Sequence, residues 1–314
     1  MALDSASTHD YKVHVMIDGV FPPIPTPFSN DTVDAVAMGS NVDRWMQTGI
    51  RGVVVLGSNG EAPFLNEFES DAAVTAAREH VPSDRLCIAG VGRESTIETI
   101  RATTRAAALG VDAVLVRTPG FFKALLTPEA FVSHYRAIAD ASPVPVLLYN
   151  FTAVTGVTLP VDVVAMLATH PNIVGMKESG SDLKYVSALI NSTPDDFVLL
   201  AGSAPVFYPS LLIGATGGVL ALASVVPDLC VELYDLVQSG RHSEARELQR
   251  RLTPLAGLVT SRYGVPGLKA ALSLLGFHAG APRLPLQPIK LEAIDEMRVA
   301  LEQLGILPAA HSSV

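Results

Sequence analysis

Residues 144–177 read VPVLLYNFTAVTGVTLPVDVVAMLATHPNIVGMK. Two short runs rich in branched aliphatic residues, Val144–Tyr149 and Ile173–Lys177, bracket a stretch whose apolar residues have helical spacing. Both runs are nearly continuous rather than alternating, as expected of strands buried on both faces in a parallel sheet with helical crossovers. The same unit recurs outward in both directions. Val20–Ile24, Gly52–Leu56, Leu86–Ala89 and Ala113–Val116 precede it, and Phe197–Ala201 and Gly217–Ala221 follow. Eight such runs with helical patterns between them predict an α/β fold, and a closed (β/α)8 TIM barrel suits them better than an open doubly wound sheet. The first run is the least regular, because Pro22 and Pro23 supply no amide hydrogen to a ladder.

Helix start signals support this reading. Asn66 with Glu69 and Ser95 with Glu98 have capping-box spacing, Thr127 precedes Pro128, and Ser181 precedes Asp182. Gly110, Gly214 and Gly240 each follow an amphipathic stretch, where a left-handed residue ends a helix. Past Gly240 the pattern turns to helices alone, His242–Tyr263, Gly267–Leu275 and Leu291–Leu304. The predicted layout is a flexible arm over 1–15, a catalytic barrel over 16–240 and a helical extension over 241–314 packed on the barrel.

Composition narrows the function. A chain of 314 residues with 49% hydrophobic and 17% charged residues buries a large core. Its net charge of −9 offers no cationic field for nucleic acid or anionic membrane surfaces, so neither is expected as a partner. Cys87 and Cys230 lack the spacing of a zinc site or a disulfide framework, which leaves them as small buried hydrophobes. The opening MALDSASTHDYKVHV has no apolar segment of secretory length, and other apolar runs are too short to cross a bilayer. A soluble, cytoplasmic protein is the expectation.

In a barrel of this kind reactive groups come from the C-terminal ends of strands and the loops beyond them. The second strand ends in Gly57-Ser58-Asn59-Gly60-Glu61, the fifth in Tyr149 and the sixth in Lys177. An ammonium at a buried strand end is costly, and desolvation favours the neutral amine that attack on a carbonyl requires. Two roles fit Lys177: a Schiff-base nucleophile, or a cation paired with Glu178 or Glu61. Tyr149 fits a proton shuttle or a core aromatic with a satisfied hydroxyl. The Gly57–Gly60 loop fits an anion cradle or an ordinary turn. Ser203, in Gly202-Ser203-Ala204 after the seventh strand, and Gly218, in Gly217-Gly218 of the eighth, either line the same mouth or solve packing problems.

In order and spacing, Phe21-Pro22-Pro23-Ile24-Pro25-Thr26-Pro27-Phe28, the Gly57–Glu61 loop, Thr118-Pro119, Tyr149-Asn150 and Gly175-Met176-Lys177-Glu178-Ser179 resemble the dihydrodipicolinate synthase and N-acetylneuraminate lyase family of class I aldolases. The resemblance implies that Lys177 forms a Schiff base with pyruvate or a related 2-oxo acid, that Tyr149 relays protons, and that Ser58 and Asn59 hold the substrate carboxylate. It implies no cofactor, no metal, and a homo-oligomer, a dimer or a homotetramer built as a dimer of dimers. Asn59, His170–Lys177 and the stretch Arg262-Tyr263-Gly264-Val265-Pro266-Gly267-Leu268-Lys269 look most like 4-hydroxy-2-oxoglutarate aldolase, which releases pyruvate and glyoxylate.

Two departures stand out. Val154 occupies the place of an arginine that in dihydrodipicolinate synthases grips the second substrate's carboxylate. Phe122 stands where the family usually has a tyrosine that extends the relay into the neighbouring subunit, and it cannot carry a proton. Arg93, Arg117 and Lys123 follow strands three and four and are candidates for a distal carboxylate, each with an ordinary surface-charge alternative. Alternative functions are a 2-oxo-3-deoxy sugar acid aldolase or dehydratase, a dihydrodipicolinate synthase-like condensation, and a non-catalytic 2-oxo-acid-binding homologue. A sugar-phosphate barrel enzyme fits less well, since no strong Gly-rich phosphate site follows strands seven and eight.

Overall fold

Residues 16–308 are described by a computed structural model; the predicted arm over 1–15 lies outside them. Eight parallel strands, β1 (Gly19–Phe21), β2 (Gly52–Val55), β3 (Leu86–Gly90), β4 (Ala113–Arg117), β5 (Val146–Asn150), β6 (Ile173–Glu178), β7 (Val198–Ala201) and β8 (Gly217–Val219), pair in sequence order, with β8 also pairing β1. The ring closes between β1 and β2 through Arg51 N–H to the Val20 carbonyl, Val54 N–H to Pro22 and Ile24 N–H to Val54, each 2.9 Å. The prolines explain why β1 stops at Phe21 rather than running to Ile24. At the other strands the predicted runs shift by one or two residues at an end, and β6 gains Glu178.

Alternation within those continuous runs divides the core in two. Phe21, Val54, Ile88, Ala113, Leu115, Leu147, Tyr149, Leu200 and Val219 form one cluster, inside the barrel. Val53, Val55, Cys87, Ala89, Val114, Val116, Val146, Leu148, Met176 and Leu199 belong to the other, which the helices cover. Lys177 pairs in register with Tyr149 on one side and Leu200 on the other, so its side chain shares the inward phase.

The capping signals are mostly realised. Asn66 and Glu69 make a reciprocal box, both bonds 3.0 Å, at the start of the helix Glu67–His80. Ser95 caps Thr96–Ala108, but Glu98 turns away to Arg101 at 2.6 Å, leaving the box half made. The expected cap at Ser181 moves one residue on: the Asp182 carboxylate, an acceptor only, receives Lys184 N–H at 2.9 Å and Tyr185 N–H at 3.3 Å. Gly110, Gly214 and Gly240 all have positive φ.

The C-terminal part holds three helices, His242–Gly257, Gly264–Leu274 and Leu291–Gln303. The first was expected to continue to Tyr263. Pro254 removes one rung of its ladder, and the backbone widens into a π-helical turn over Leu258–Arg262. This part packs on the first barrel helix, Ala35–Met46: Asn41 exchanges two hydrogen bonds with the backbone of His278, at 2.9 and 3.0 Å, and Trp45 stacks on Phe277.

Candidate active site

At the C-terminal end of the barrel, neighbouring strands deliver Tyr149 and Lys177 side by side. Both are nearly inaccessible, 4% and 3% exposed. The Lys177 Nζ lies 4.3 Å from the centre of the Tyr149 ring, which also stacks on Phe151. The Tyr149 hydroxyl is 3.0 Å from Ser58 Oγ. One end of the phenol thus meets the loop after β2 while its ring lies under the amine.

Neither carboxylate suggested as a structural partner pairs with this lysine. Glu61 pairs with Lys269 at 2.6 Å. Glu178 points to the outer face, where it accepts Asn150 Nδ2–H at 2.6 Å and the Gly180 amide. Burial pushes the Glu178 carboxyl above its ordinary range, and the Asn150 and Gly180 hydrogen bonds oppose that shift. Asn150 also accepts the Leu159 amide at 3.0 Å, so the residues beside Tyr149 and Lys177 clamp β5 to β6. Among the described residues Lys177 has no acidic partner within ion-pair distance.

The loop after β2 turns sharply through Ser58–Gly60, between two non-glycine residues in the left-handed region, Leu56 (φ 57°) and Glu61 (φ 55°). The turn's closing bonds come from the Gly60 and Glu61 amides. Those of Ser58 and Asn59 precede them at its open end, half exposed, where an anion fits. Gly57 has an ordinary φ of −70°, and a β-carbon there would meet nothing closer than 3.8 Å, so the turn does not require glycine at this position. Gly90 does: a β-carbon would stand 2.1 Å from the Leu56 carbonyl.

The remaining candidates separate. Ser203 is half-buried beyond β7, beside Gly202, whose missing β-carbon makes room for Ser179. Gly218 has the outward phase: its β-carbon would be 2.7 Å from the Phe207 ring, so glycine there is a packing requirement of the helix layer. Arg117 is engaged by Glu94 at 2.8 Å, which also accepts the amides of Gly120 and Phe121. Arg93 lies among Arg105, Arg117, Glu67 and Glu98, and burial, first among the causes, lowers its pKa. The ammonium of Lys123 lies against Gly156, 2.8 Å from where a β-carbon would stand. Phe121 and Phe122 pack edge to face and, with Leu125 and Val154, form a solvent-exposed apolar rim.

Two residues with no role in the sequence reading join the site from the C-terminal part. Lys269, 2% exposed, reaches Glu61, donates to the Ala281 carbonyl at 3.0 Å and lies 4.4 Å from the Phe28 ring centre. Burial lowers its pKa, and Glu61 opposes that. Arg283 donates its amide to Glu61 at 2.8 Å and its guanidinium to Glu69 and Asp31. A lone charge inside the apolar run Val265–Leu275 was the available signal for Lys269.

Among the described residues no cluster of His, Cys, Asp and Glu could hold a metal ion, and no helix is long and apolar enough to cross a membrane. Both cysteines are buried and free, and burial pushes the Cys87 thiol up to about 12.

The (β/α)8 barrel and the kinship that follows make the chain a carbon–carbon lyase. It belongs to the dihydrodipicolinate synthetase family, whose profile matches residues 16–304. The 4-hydroxy-tetrahydrodipicolinate synthase of Methanopyrus kandleri is 36% identical over 296 residues, 93% of this chain and 98% of the relative. That of Methanothrix thermoacetophila is 37% identical over 294 residues, with 93% and 98% coverage. Among solved structures, the dihydrodipicolinate synthase of Thermotoga maritima superposes with a TM-score of 0.89 at 31% identity, covering 93% of this chain and all of that one.

Proposed function

We propose that this lyase acts through a Schiff base on Lys177, cleaving 4-hydroxy-2-oxoglutarate to pyruvate and glyoxylate. The observation that carries the reading is a buried lysine without an acidic partner among the described residues, set against a phenol whose hydroxyl meets Ser58. Nζ adds to the 2-oxo carbon, and loss of water leaves a protonated iminium. Tyr149, hydrogen-bonded to Ser58, moves the protons of that dehydration and takes the proton of the C4 hydroxyl. The C3–C4 bond then breaks with its electron pair drawn into the iminium, giving an enamine and glyoxylate. Protonation at C3 and hydrolysis return the lysine and pyruvate. The amides of Ser58 and Asn59, with the Ser58 hydroxyl, hold the C1 carboxylate throughout. Metal and cofactor have no part in this scheme.

The named relatives favour a rival reading, condensation of pyruvate by a 4-hydroxy-tetrahydrodipicolinate synthase. Val154 argues against it, because an exposed aliphatic side chain gives the second substrate's carboxylate nothing to pair with. The exposed rim of Phe121, Phe122, Leu125 and Val154 supports assembly into a homo-oligomer.

Borohydride reduction in the presence of pyruvate tests the chemistry, with mass spectrometry expected to find the adduct on Lys177. An unmodified Lys177 at saturating pyruvate refutes the Schiff base. A panel of 4-hydroxy-2-oxoglutarate, 2-oxo-3-deoxy sugar acids, and pyruvate with aspartate semialdehyde then tests the substrate. Turnover of the last pair with none of the first compound overturns the aldolase assignment, and adducts without turnover of any leave a binding protein.

A further inference from the structure

We infer that Lys269 is a positioning residue for 2-oxo-acid recognition: its ion pair with Glu61 makes the C-terminal helical part a strut that holds the carboxylate-binding turn in shape. The inference rests on the reading that Ser58 and Asn59 bind the substrate carboxylate.

The turn presents the Ser58 and Asn59 amides only while Leu56 and Glu61, on either side, stay in the left-handed region. Non-glycine residues persist there when their surroundings over-determine them. At Glu61 the surroundings come from far along the chain. Its carboxylate is fully buried, and it receives the Lys269 ammonium at 2.6 Å and the Arg283 amide at 2.8 Å. Lys269 is fixed in turn by the Ala281 carbonyl and the face of Phe28. From the other side Thr26 Oγ1 donates to the Gly60 carbonyl at 2.6 Å. The end of the turn is thus held at two adjacent residues, Gly60 by Thr26 and Glu61 by Lys269 and Arg283, while the residues that would meet substrate are left half exposed.

Stability alone does not account for this arrangement. A well-packed apolar pair would join helix to loop without burying two charges, and replacing a buried ion pair by such a pair is often neutral or stabilising. Here the fixed geometry is two and three residues from the amides in question.

Replacing Lys269 alone strands a buried carboxylate, so the informative variant is the double one, Glu61→Gln with Lys269→Met. Glutamine keeps an acceptor for the Arg283 amide and methionine fills the stem of the lysine. Full-length wild type and variant, checked for folding by circular dichroism, are titrated with pyruvate and separately with the neutral ketone hydroxyacetone. Borohydride trapping on the Lys177 peptide is the readout. The expected result is at least about a tenfold rise in half-saturating pyruvate, the equivalent of one charge-assisted hydrogen bond, with hydroxyacetone trapping within about twofold of wild type. Unchanged pyruvate half-saturation, or an equal loss for both ketones, overturns the inference. If the double variant does not fold, Glu61→Gln alone is judged by the same ratio of pyruvate to hydroxyacetone. Absence of trapping in the wild type is a different failure: it removes the Schiff-base reading, and this inference with it.

Discussion

Tyr149→Phe deletes one oxygen and little else. The ring stays 4.3 Å from the Lys177 Nζ and stacked on Phe151, so packing survives. What goes is the 3.0 Å hydrogen bond to Ser58 Oγ, worth about 1 kcal/mol, and Ser58 is open enough to bond water instead. The stability change is therefore about 1 kcal/mol or less. Loss of a positioned acid–base group costs about a hundredfold to ten-thousandfold in rate, or roughly 3–5 kcal/mol of barrier. The two magnitudes separate a chemical from a structural role. Rapid quenching with borohydride at saturating pyruvate reports the rate of iminium formation, a coupled assay reports pyruvate release, and urea unfolding reports stability. Near-native stability with both rates depressed is expected. Turnover within about threefold of wild type would show that the phenol handles no proton, and the mechanism built on it would fall.

Three more perturbations probe the same site and its support. Lys177→Met abolishes adduct formation and raises the melting temperature, because it removes a buried polar group that has no acidic partner among the described residues; a lower melting temperature contradicts the claim that the lysine is kept at a cost to stability. Gly175→Ala places a carbon 2.4 Å from the Val198 carbonyl and forces β6 away from β7, costing roughly 1–3 kcal/mol and slowing trapping two residues on at Lys177; wild-type melting and trapping together refute it. His134, buried against Thr96, has its pKa lowered from 6.5 to about 4 by burial, with Arg117 adding and Glu94 opposing. The unfolded chain takes up this proton before the native one does, so the stability His134 contributes is present above pH 6.5 and lost as pH falls toward 4. Between pH 7 and pH 5 the loss is about 2 kcal/mol. Urea titrations of His134→Gln should show a correspondingly shallower decline, and an identical decline rejects the assignment.

Strand runs and caps declared the barrel because both depend on neighbours in sequence: continuous aliphatic segments for a sheet covered on both faces, oxygen acceptors for first-turn amides. That Lys177, Tyr149 and Ser58 lie together was legible for a related reason, since each is next to the last residue of a strand or in the loop after one, and a barrel gathers such positions at one rim. Lys269 and Arg283 were not legible as parts of the site, because their partners Glu61 and Glu69 lie more than two hundred residues away and no local pattern encodes that pairing. Gly218 was read as mouth-lining because a pair of glycines does not reveal which of them faces inward; the register of β8 assigns that phase to its neighbours. Ser181 lost its role to the adjacent aspartate, a one-residue choice between two good caps.

The join between β1 and β2 carries a consequence of its own. Two consecutive prolines leave that edge with few amide donors, so it is the thinnest suture in the ring, whereas β5 and β6, which hold the phenol and the amine, pair in unbroken register from Leu147 to Asn150 on the opposite wall. Slow breathing of the ring should begin at the suture, visible as early hydrogen exchange at Ile24 and Val54. Such breathing would tug first on the turn that follows β2, so warming should loosen Ser58 and Asn59 before it disturbs Lys177.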